Sequence, residues 1–379
     1  MTTTNRVDMV DALRGFALLG LFMVHCVERF ELYWLDPHPD IWVDGVFAVF
    51  AGKAFAIFAL LFGFSFATIM SNERARGGDF TWRFAWRLIL LFAIGTLHAL
   101  VYRGDILQVL AAVGLVMIPF DRVRSERVLL VLAALLFLEL PLLLRAWAAL
   151  QGSAWGLAQL LFLGDTDLQA LVTGSFAEVL VSNAGPGMIG KWSFYIENGR
   201  VVEIAGLFLI GIVLQRRALF AEAGQRRGLW LGVLAAGAAL WAAAILLPSP
   251  ATGVTMADSS LQSAIDVYRA LGATAFQVAA FVLLWHSPAG LLLRGFAPAG
   301  RMTLTLYVGQ SLIAAPLLYG YGLGWYDDFS HAEMVLAGLV AFALQAALAA
   351  LWFRAFRYGP LEWAWRAATR TTLAVPFRK

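Results

Sequence analysis

Apolar runs of about twenty residues recur from near the N-terminus almost to the C-terminus of this 379-residue chain. Each run is long enough to cross the roughly 30 Å hydrocarbon core of a bilayer as an α-helix. Charged residues make up only 14% of the chain, whereas a soluble globular protein carries about 25%. The sequence therefore predicts an all-α, polytopic integral membrane protein.

Ten of these runs are predicted to be transmembrane helices, and they lie near residues 12–30, 46–70, 84–102, 106–120, 128–150, 200–215, 229–247, 265–285, 302–320 and 332–353. An even number of spans places both termini on the same side. Most of the 28 Lys and Arg residues fall on that side. The opposite loops are acidic and contain Asp36, Asp40, Asp44, Asp165, Asp167, Asp258, Asp327 and Asp328. The positive-inside rule therefore predicts that both termini are cytoplasmic.

The loop lengths divide the chain into three regions. Residues 1–150 contain spans one to five, and residues 199–379 contain spans six to ten with a basic, Trp-rich tail that is typical of an interfacial helix. Residues 151–198 form an outer segment that is too long for a simple connector and too interrupted to span. It either lies in the interface or folds back over a cavity, because irregular backbone at membrane depth must line a cavity.

His25 lies eleven residues after Arg14 in the first span. At this spacing the two side chains share one helix face and stand about 16 Å apart along the axis. Asp11, one turn before Arg14, is placed to orient its guanidinium. An imidazole deep in a span and a cation near its end are typical of a functional site, and we predict His25 as a general base. The alternatives are a histidine that only packs the bundle and an arginine that only reaches the lipid headgroups.

His98 lies near the outer end of the third span, and Asp105 follows seven residues later, after a tight turn. Asp105 could hold His98 in one tautomer, as orienting carboxylates do in acid–base sites. We therefore predict both as catalytic residues. The alternative is that the pair only fastens two neighbouring spans together.

Several further charged residues fall within spans and need partners there. Lys53 and Glu203 are predicted to line an acceptor pocket together with Trp192 and Tyr195. Glu139 precedes Pro141 and is expected at a helix kink.

Arg83 and Arg87 are four residues apart at the cytoplasmic start of the third span, and so share a helix face. With Arg14 they are predicted to grip a phosphate-rich cofactor, although contact with lipid headgroups would explain them equally well. The remaining histidines, His38, His286 and His331, are predicted to be surface residues.

Other features of the sequence exclude classes of function. The single cysteine, Cys26, allows no internal disulfide and no cysteine-based metal site. We predict no metal cofactor and no nucleic-acid partner. The chain has no G-x-x-x-x-G-K-[ST] loop, which argues against an ATP-driven pump.

Three motifs resemble the YeiB-like membrane proteins. They are the opening Arg6-x4-Asp11-Ala-Leu-Arg-Gly, the hairpin from Ile94-Gly-Thr-Leu-His98 to Gly104-Asp105-Ile-Leu, and a C-terminal stretch with Gly300-Arg-Met-Thr-Leu-Thr-Leu-Tyr307 and Phe356-Arg-Tyr-Gly-Pro-Leu-Glu-Trp363. The last resembles domain of unknown function 418. The resemblance extends from residue 6 to about residue 370.

This resemblance implies a bacterial cytoplasmic membrane protein related to the transmembrane acyltransferase superfamily. In the acyltransferase-three proteins of that superfamily, a first-span motif of Arg or Lys, ten residues and His is tied to acyl transfer, and Arg14 and His25 match it. Those proteins also carry an Arg-x-x-Arg element, whereas three residues separate Arg83 from Arg87 here.

The leading hypothesis is a membrane acyltransferase that moves an acyl group from cytoplasmic acyl-CoA to a small-molecule, sugar or lipid-linked acceptor at the outer side. The rival hypothesis is a proton-coupled transporter or flippase in which His25, Lys53, Glu139 and Glu203 form the pathway. Membrane lipids are expected partners under both hypotheses, and a homo-oligomer is left open.

Overall fold

The computed structural model describes residues 7–164 and 166–379, so Arg6 of the opening motif and Asp165 of the acidic loops lie outside the described residues. The helices are α1 (Asp8–Val27), α2 (Ile41–Val49), α3 (Lys53–Ala75), α4 (Thr81–Val101), α5 (Leu107–Met117), α6 (Glu126–Leu136), α7 (Leu140–Leu150), α8 (Ala154–Leu157), α9 (Gln169–Thr173), α10 (Phe176–Ala184), α11 (Pro186–Glu197), α12 (Arg200–Arg216), α13 (Arg227–Leu246), α14 (Thr255–Trp285), α15 (Gly290–Leu293), α16 (Ala297–Arg301), α17 (Thr303–Leu318), α18 (His331–Ala355) and α19 (Pro360–Arg370). This confirms the predicted all-α class.

Seven segments of the described chain are long and apolar enough to cross a membrane, namely Asp8–Leu35, Ile41–Ala75, Thr81–Val101, Glu126–Leu150, Ala223–Leu246, Thr255–Trp285 and His331–Ala355. They confirm a polytopic membrane protein. The other three predicted spans coincide with the shorter helices α5, α12 and α17, of 11, 17 and 16 residues. The count of ten spans and the side of the termini stay predictions.

Local signals set several helix boundaries. The Asp40 side chain caps α2 by accepting hydrogen bonds from the backbone N–H groups of Trp42 and Val43, both at 2.9 Å. Gly52 then adopts a left-handed conformation, with φ +80°, which glycine adopts without a steric penalty. The chain therefore breaks between α2 and α3, inside what the hydropathy pattern predicts as one span.

The central helix of the bundle is α1, which packs against α3, α16, α17 and α18. Another close crossing joins α3 to α12, where a Cβ added to Gly63 would overlap the carbonyl oxygen of Phe208, and one added to Gly211 would overlap that of Leu60. Small residues let membrane helices approach this closely. Here they serve packing within one chain.

The outer segment folds into α8 to α11 and packs against the rest of the molecule. The carbonyl oxygen of Leu171 accepts a 2.9 Å hydrogen bond from the backbone N–H of Gly320. At the opposite end of the chain, α19 lies against α4 and α17. The indole N–H of Trp365 on α19 donates a 2.8 Å hydrogen bond to the carbonyl oxygen of Arg87.

The prediction that His331 is a surface residue is wrong. Its side chain is buried because the start of α18 packs against the start of α2. This packing places His331 Nδ1 2.9 Å from the Asp40 carboxylate and its ring 5.7 Å from that of Tyr33. His38 and His286 are exposed, as expected.

Candidate functional site

Two buried histidines at the ends of different helices share the same pair of tyrosine rings. His25 lies in the last turn of α1 and His98 in the last turn of α4. The Tyr102 ring lies 5.0 Å from the His25 ring and 6.0 Å from the His98 ring, measured between centroids. The Tyr307 ring, on α17, lies 6.4 Å from His25 and 5.2 Å from His98. Two candidates that the sequence predicts separately therefore belong to one site.

His98 and Asp105 form a buried dyad. His98 Nδ1 lies 2.8 Å from Asp105 Oδ1, and Asp105 Oδ2 accepts a 3.1 Å hydrogen bond from the backbone N–H of Gln108. Neither side chain of the dyad is exposed beyond 3%. Within the described chain, His98 Nε2 has no hydrogen-bond partner. Since Nδ1–H donates to the carboxylate, Nε2 keeps its lone pair, which is the arrangement of a general base.

His25 has a different partner. The Tyr102 hydroxyl lies 2.6 Å from His25 Nδ1 and 3.4 Å from Glu31 Oε1. The hydroxyl carries one proton, and the shorter contact favours its donation to Nδ1. His25 then carries its own proton on Nε2, an atom for which the described residues provide no acceptor. This tautomer suits His25 to donate a hydrogen bond.

A strained turn follows His25. Arg29, Phe30 and Glu31 have φ values of 49°, 52° and 87°, and non-glycine residues in this left-handed region cost about 1–2 kcal/mol each. Tertiary contacts hold the turn in place. The Tyr319 hydroxyl donates to the Phe30 carbonyl at 2.9 Å, and Arg29 pairs with Asp327 at 2.8 Å. Such strain persists where the surroundings impose it, and it clusters at functional sites.

Two carboxylates at this turn lie beside His25 and Tyr102. Glu28 Oε2 lies 3.9 Å from His25 Nδ1, and Glu31 faces the Tyr102 hydroxyl. A Cβ added to Gly104 would overlap both the Tyr102 hydroxyl and Glu31 Oε1. A side chain at position 104 would therefore have to displace Tyr102 and Glu31 from these positions.

The outer segment is fastened over this hairpin by Arg103, whose side chain is buried. Its guanidinium donates to Asn183 Oδ1 at 2.8 Å, to Ser182 Oγ at 3.0 Å and to the Thr166 carbonyl at 2.5 Å. Asn183 in turn donates to the Leu100 carbonyl at 2.9 Å. These contacts join the outer segment to the hairpin, and the choice between an interfacial segment and one folded over a cavity stays a prediction.

Lys191, on α11 of the outer segment, also contacts residues next to the dyad. Its ammonium group donates to Gln108 Oε1, and Gln108 donates to Thr96 Oγ1 at 2.7 Å. Burial lowers the pKa of Lys191 to about 8, while the nearby Asp105 carboxylate acts in the opposite direction. Lys191 therefore lies next to the dyad as a cation that can lose its proton at mildly alkaline pH.

Arg14 lies on the same unbroken helix as His25, towards its other end. Its guanidinium donates to Asp11 Oδ1 at 2.7 Å and to Ser65 Oγ at 2.6 Å. Its side chain is 25% exposed. The predicted Asp11–Arg14 contact is present, and the proposed cofactor contact stays a prediction.

Arg83 and Arg87 lie on one helix but in different surroundings. The Arg87 guanidinium stacks on the Trp365 ring, with Cζ 3.4 Å from the ring centroid. Arg83 lines a surface cleft of about 450 Å³ together with Trp82, Trp86 and Glu73. Neither histidine of the site lines this cleft. Trp365 covers one face of the Arg87 guanidinium, and phosphate binding by the two arginines stays a prediction.

The four predicted pocket residues fall in two places. Trp192 and Tyr195 lie on α11, as Lys191 does, and the Trp192 ring is 6.5 Å from that of Phe92 on α4. Lys53 and Glu203 lie elsewhere. Lys53 Nζ donates to the Phe47 carbonyl at 3.0 Å, and Glu203 pairs with Arg200 at 3.2 Å.

Sequence reasoning missed Tyr102, Tyr307, Glu28, Glu31 and Lys191. Glu28 follows His25 by three residues, which is a spacing that could have revealed it. The position of Glu31 depends on a left-handed turn that contains no glycine, so the sequence does not indicate the turn. Tyr307 stands in the quoted C-terminal motif, but its contact with the histidines depends on tertiary packing. Across the described residues, no group of three or more His, Cys, Asp or Glu side chains could hold a metal ion.

Comparison with known proteins shows similarity to two family models. Residues 214–372 match the family described as "Protein of unknown function (DUF418)", and residues 6–171 match "Heparan-alpha-glucosaminide N-acetyltransferase, catalytic". The second match contains Arg14, both histidines and Asp105.

Three relatives match nearly the whole chain. The uncharacterised protein YxaH of Bacillus subtilis (strain 168) is 27% identical over 97% of this chain and 95% of its own length. The uncharacterised protein YeiB of Escherichia coli (strain K12) is 27% identical over 95% of each chain. An uncharacterised 39.9 kDa protein of Bacillus acidopullulyticus is 25% identical over 96% of this chain and 94% of its own length.

Proposed function

Since this chain is a YeiB-like protein of the DUF418 family and is related to acyltransferases, we propose that it is an integral-membrane acyltransferase. It transfers an acyl group from acyl-CoA to a hydroxyl or amine acceptor. One observation carries the proposal: the region that matches the N-acetyltransferase catalytic model contains two buried histidines whose Nε2 atoms have no partner among the described residues.

In this reaction His98 is the general base. Asp105 accepts the hydrogen bond from His98 Nδ1–H. This leaves His98 Nε2 unprotonated, so it takes the proton from the acceptor hydroxyl or amine. The acceptor atom bonds to the thioester carbonyl carbon, and the carbon–sulfur bond then breaks. The proton on His98 Nε2 passes to the departing CoA thiolate, which returns the imidazole to its starting state.

His25 stabilises the charge that forms on the acyl oxygen. With the Tyr102 proton directed to Nδ1, His25 Nε2–H is a donor for the oxyanion of the tetrahedral intermediate. The sequence instead favours His25 as the base, and the two assignments make different predictions for the His98 variant.

The direction of α1, together with the predicted cytoplasmic N-terminus, supports a donor that enters from the cytoplasmic side and an acceptor that enters from the outer side. Arg14 and His25 lie near opposite ends of α1, so a donor bound near Arg14 would extend along the helix. The outer segment closes over the hairpin through Arg103 and Lys191, and is placed to shape the acceptor pocket. Trp192 and Tyr195 are the residues of that segment proposed to contact the acceptor.

The test is acetyl transfer by purified protein in lipid nanodiscs. Radiolabelled acetyl-CoA is supplied with a panel of amino sugars, neutral sugars and glycerolipids, and product is counted. We expect at least one acetylated acceptor. Asp105→Asn and His98→Gln should each lower turnover by about 10²–10⁴-fold, and His25→Gln by about 10²–10³-fold.

His286→Gln is the matched control, because His286 is an exposed histidine at the end of α14. Its turnover should equal that of the unmodified protein. Thermal unfolding of each variant shows whether the fold is intact. If acetyl-CoA gives no calorimetric binding signal and no acceptor is labelled, the proposed function is wrong. If His98→Gln keeps full turnover while His25→Gln loses it, the base is His25.

A further inference from the structure

A second group of buried charges lies outside the histidine site. Glu139 is 0% exposed. Neither of its carboxylate oxygens has a hydrogen-bond partner within residues 7–164 and 166–379. It occupies the break between α6 and α7, where its φ of 50° is left-handed. A strained backbone thus holds an unpartnered carboxyl group inside a membrane-spanning segment.

A second buried carboxyl lies on the neighbouring helix. Glu203, on α12, is also 0% exposed. Its Oε2 accepts a 3.2 Å hydrogen bond from Arg200, and its Oε1 has no partner in the described part of the chain. A Cβ added to Gly199 would overlap Glu139 Oε2. Glu139 therefore lies against the start of the helix that carries Glu203. The contact is at Gly199, four residues before Glu203.

Few cations balance these two carboxyl groups. Arg200 pairs with Glu203, and its guanidinium also lies over the Phe55 ring at 4.7 Å. Other titratable and charged groups on the helices packed around the pair include Lys53 on α3 and Asp266, Tyr268 and Arg269 on α14. Among the described residues, none of these four forms an ion pair with Glu139 or Glu203.

Three of these groups have other contacts instead. Lys53 bonds to the Phe47 carbonyl at 3.0 Å, and Asp266 pairs with Arg269 at 2.9 Å. Arg200 thus pairs with Glu203, and Glu139 has no ion-pair partner among the described residues. An unpaired ionised carboxylate is strongly destabilising in a membrane interior, and protonation removes its charge.

We propose that Glu139 and Glu203 form a proton-binding site that holds one exchangeable proton between them. Arg200 neutralises the carboxylate that remains ionised. The protonated carboxyl gains an O–H donor, which supplies the hydrogen bond that the unpartnered oxygens lack. Glu139 lies between α6 and α7 and Glu203 lies on α12. The pair shares no residue with the proposed acyl-transfer site, so it is a separate site in the same membrane domain.

The test uses dicyclohexylcarbodiimide, an apolar reagent that modifies protonated carboxyl groups in membranes. The carboxyl O–H adds across one C=N bond, and the resulting O-acylisourea rearranges to a stable N-acylurea. We expect one adduct per chain, on Glu139 or Glu203, when the nanodisc-embedded protein is treated at about pH 6, with labelling at least about tenfold lower at about pH 9. Peptide mass spectrometry locates the adduct.

Matched variants and an internal control sharpen this test. Replacing whichever glutamate carries the adduct, by Glu139→Gln or Glu203→Gln, should abolish labelling of the pair. Glu178, on α10, serves as the control carboxyl, because hydrogen bonds from Ser175 hold its pKa below the usual value. It should stay unlabelled throughout.

Two results would overturn the proposal. One is the absence of any adduct on either glutamate at acidic pH, in protein that is labelled at both after denaturation. The other is protection from labelling by sodium at constant pH, which would identify a site for a metal cation. A failure of acetyl transfer leaves both readouts unchanged, so the two proposals can fail separately.

Discussion

At the residue scale, the contact between the two halves of the histidine site depends on Gly104. The Tyr102 hydroxyl and Glu31 Oε1 occupy the space that a side chain at position 104 would need. We expect Gly104→Ala to push the hairpin away from α1, which would separate Tyr102 from His25. Overpacking of this kind costs about 1–3 kcal/mol, so both the thermal midpoint and acetyl transfer should fall.

The control for this substitution is Gly45→Ala, since a Cβ at that position would meet nothing within 4 Å. Thermal unfolding in nanodiscs and the acetyl-transfer assay compare the two variants. Gly104→Ala protein with the stability and turnover of the Gly45→Ala control would show that the close approach of Tyr102 and Glu31 is not required.

Also at the residue scale, local spacing predicts one part of the site and not the other. His98 and Asp105 are seven residues apart across a tight turn, so their pairing can be expected from sequence, and the structure has them 2.8 Å apart. His25 and Tyr102 are separated by 77 residues. No periodicity links them, and their contact depends on how α1 and α4 pack.

At the scale of single elements, α11 connects the outer segment to the dyad through Lys191. The folded protein lowers the pKa of this lysine from its ordinary value of 10.5 to about 8. Between these values the unfolded chain keeps the proton that the folded chain has lost. Stability from this residue should therefore rise as the pH rises from about 8 to about 10.5.

Thermal unfolding across this pH range tests the assignment. We expect the midpoint of the unmodified protein to rise by a few degrees relative to that of Lys191→Met. Lys379→Met, at the exposed end of the chain, is the control and should follow the unmodified protein. Identical pH profiles for the Lys191→Met variant and the unmodified protein would contradict the burial of a titrating lysine beside Gln108.

Helix breaks are the elements that hydropathy describes least well. The predicted span 128–150 divides into α6 and α7 at Glu139, and the predicted span 46–70 begins with a break at Gly52. The mean hydropathy of both segments is high, so hydropathy does not reveal the break inside either of them. The left-handed φ at Glu139 follows from packing against α12, so only the Pro141 signal was visible beforehand.

At the scale of the whole molecule, the orientation in the membrane is a prediction that chemical labelling can test. In a Cys26→Ser background, which removes the single cysteine, Asp36→Cys and Arg378→Cys each introduce one exposed thiol. A membrane-impermeant maleimide added to intact cells should label position 36 only. Position 378 should become labelled after permeabilisation, because the positive-inside rule places both termini in the cytoplasm.

The opposite labelling pattern would show that the molecule is inverted. It would also reverse the proposed approach of donor and acceptor, because Arg14 would then lie at the outer end of α1. Labelling of both positions in intact cells would mean an odd number of spans, and the shorter helices α5, α12 and α17 would then need reassignment.

The amino-acid sequence by itself determined the membrane class, the helical character and the family resemblance, because apolar run length and short motifs are properties of contiguous residues. It also predicted the His98–Asp105 pair, whose members a tight turn brings together. Only the tertiary structure decided that His25 and His98 share Tyr102 and Tyr307, and that Trp365 covers Arg87. These contacts join distant positions, and they depend on packing angles and backbone strain that no local pattern encodes.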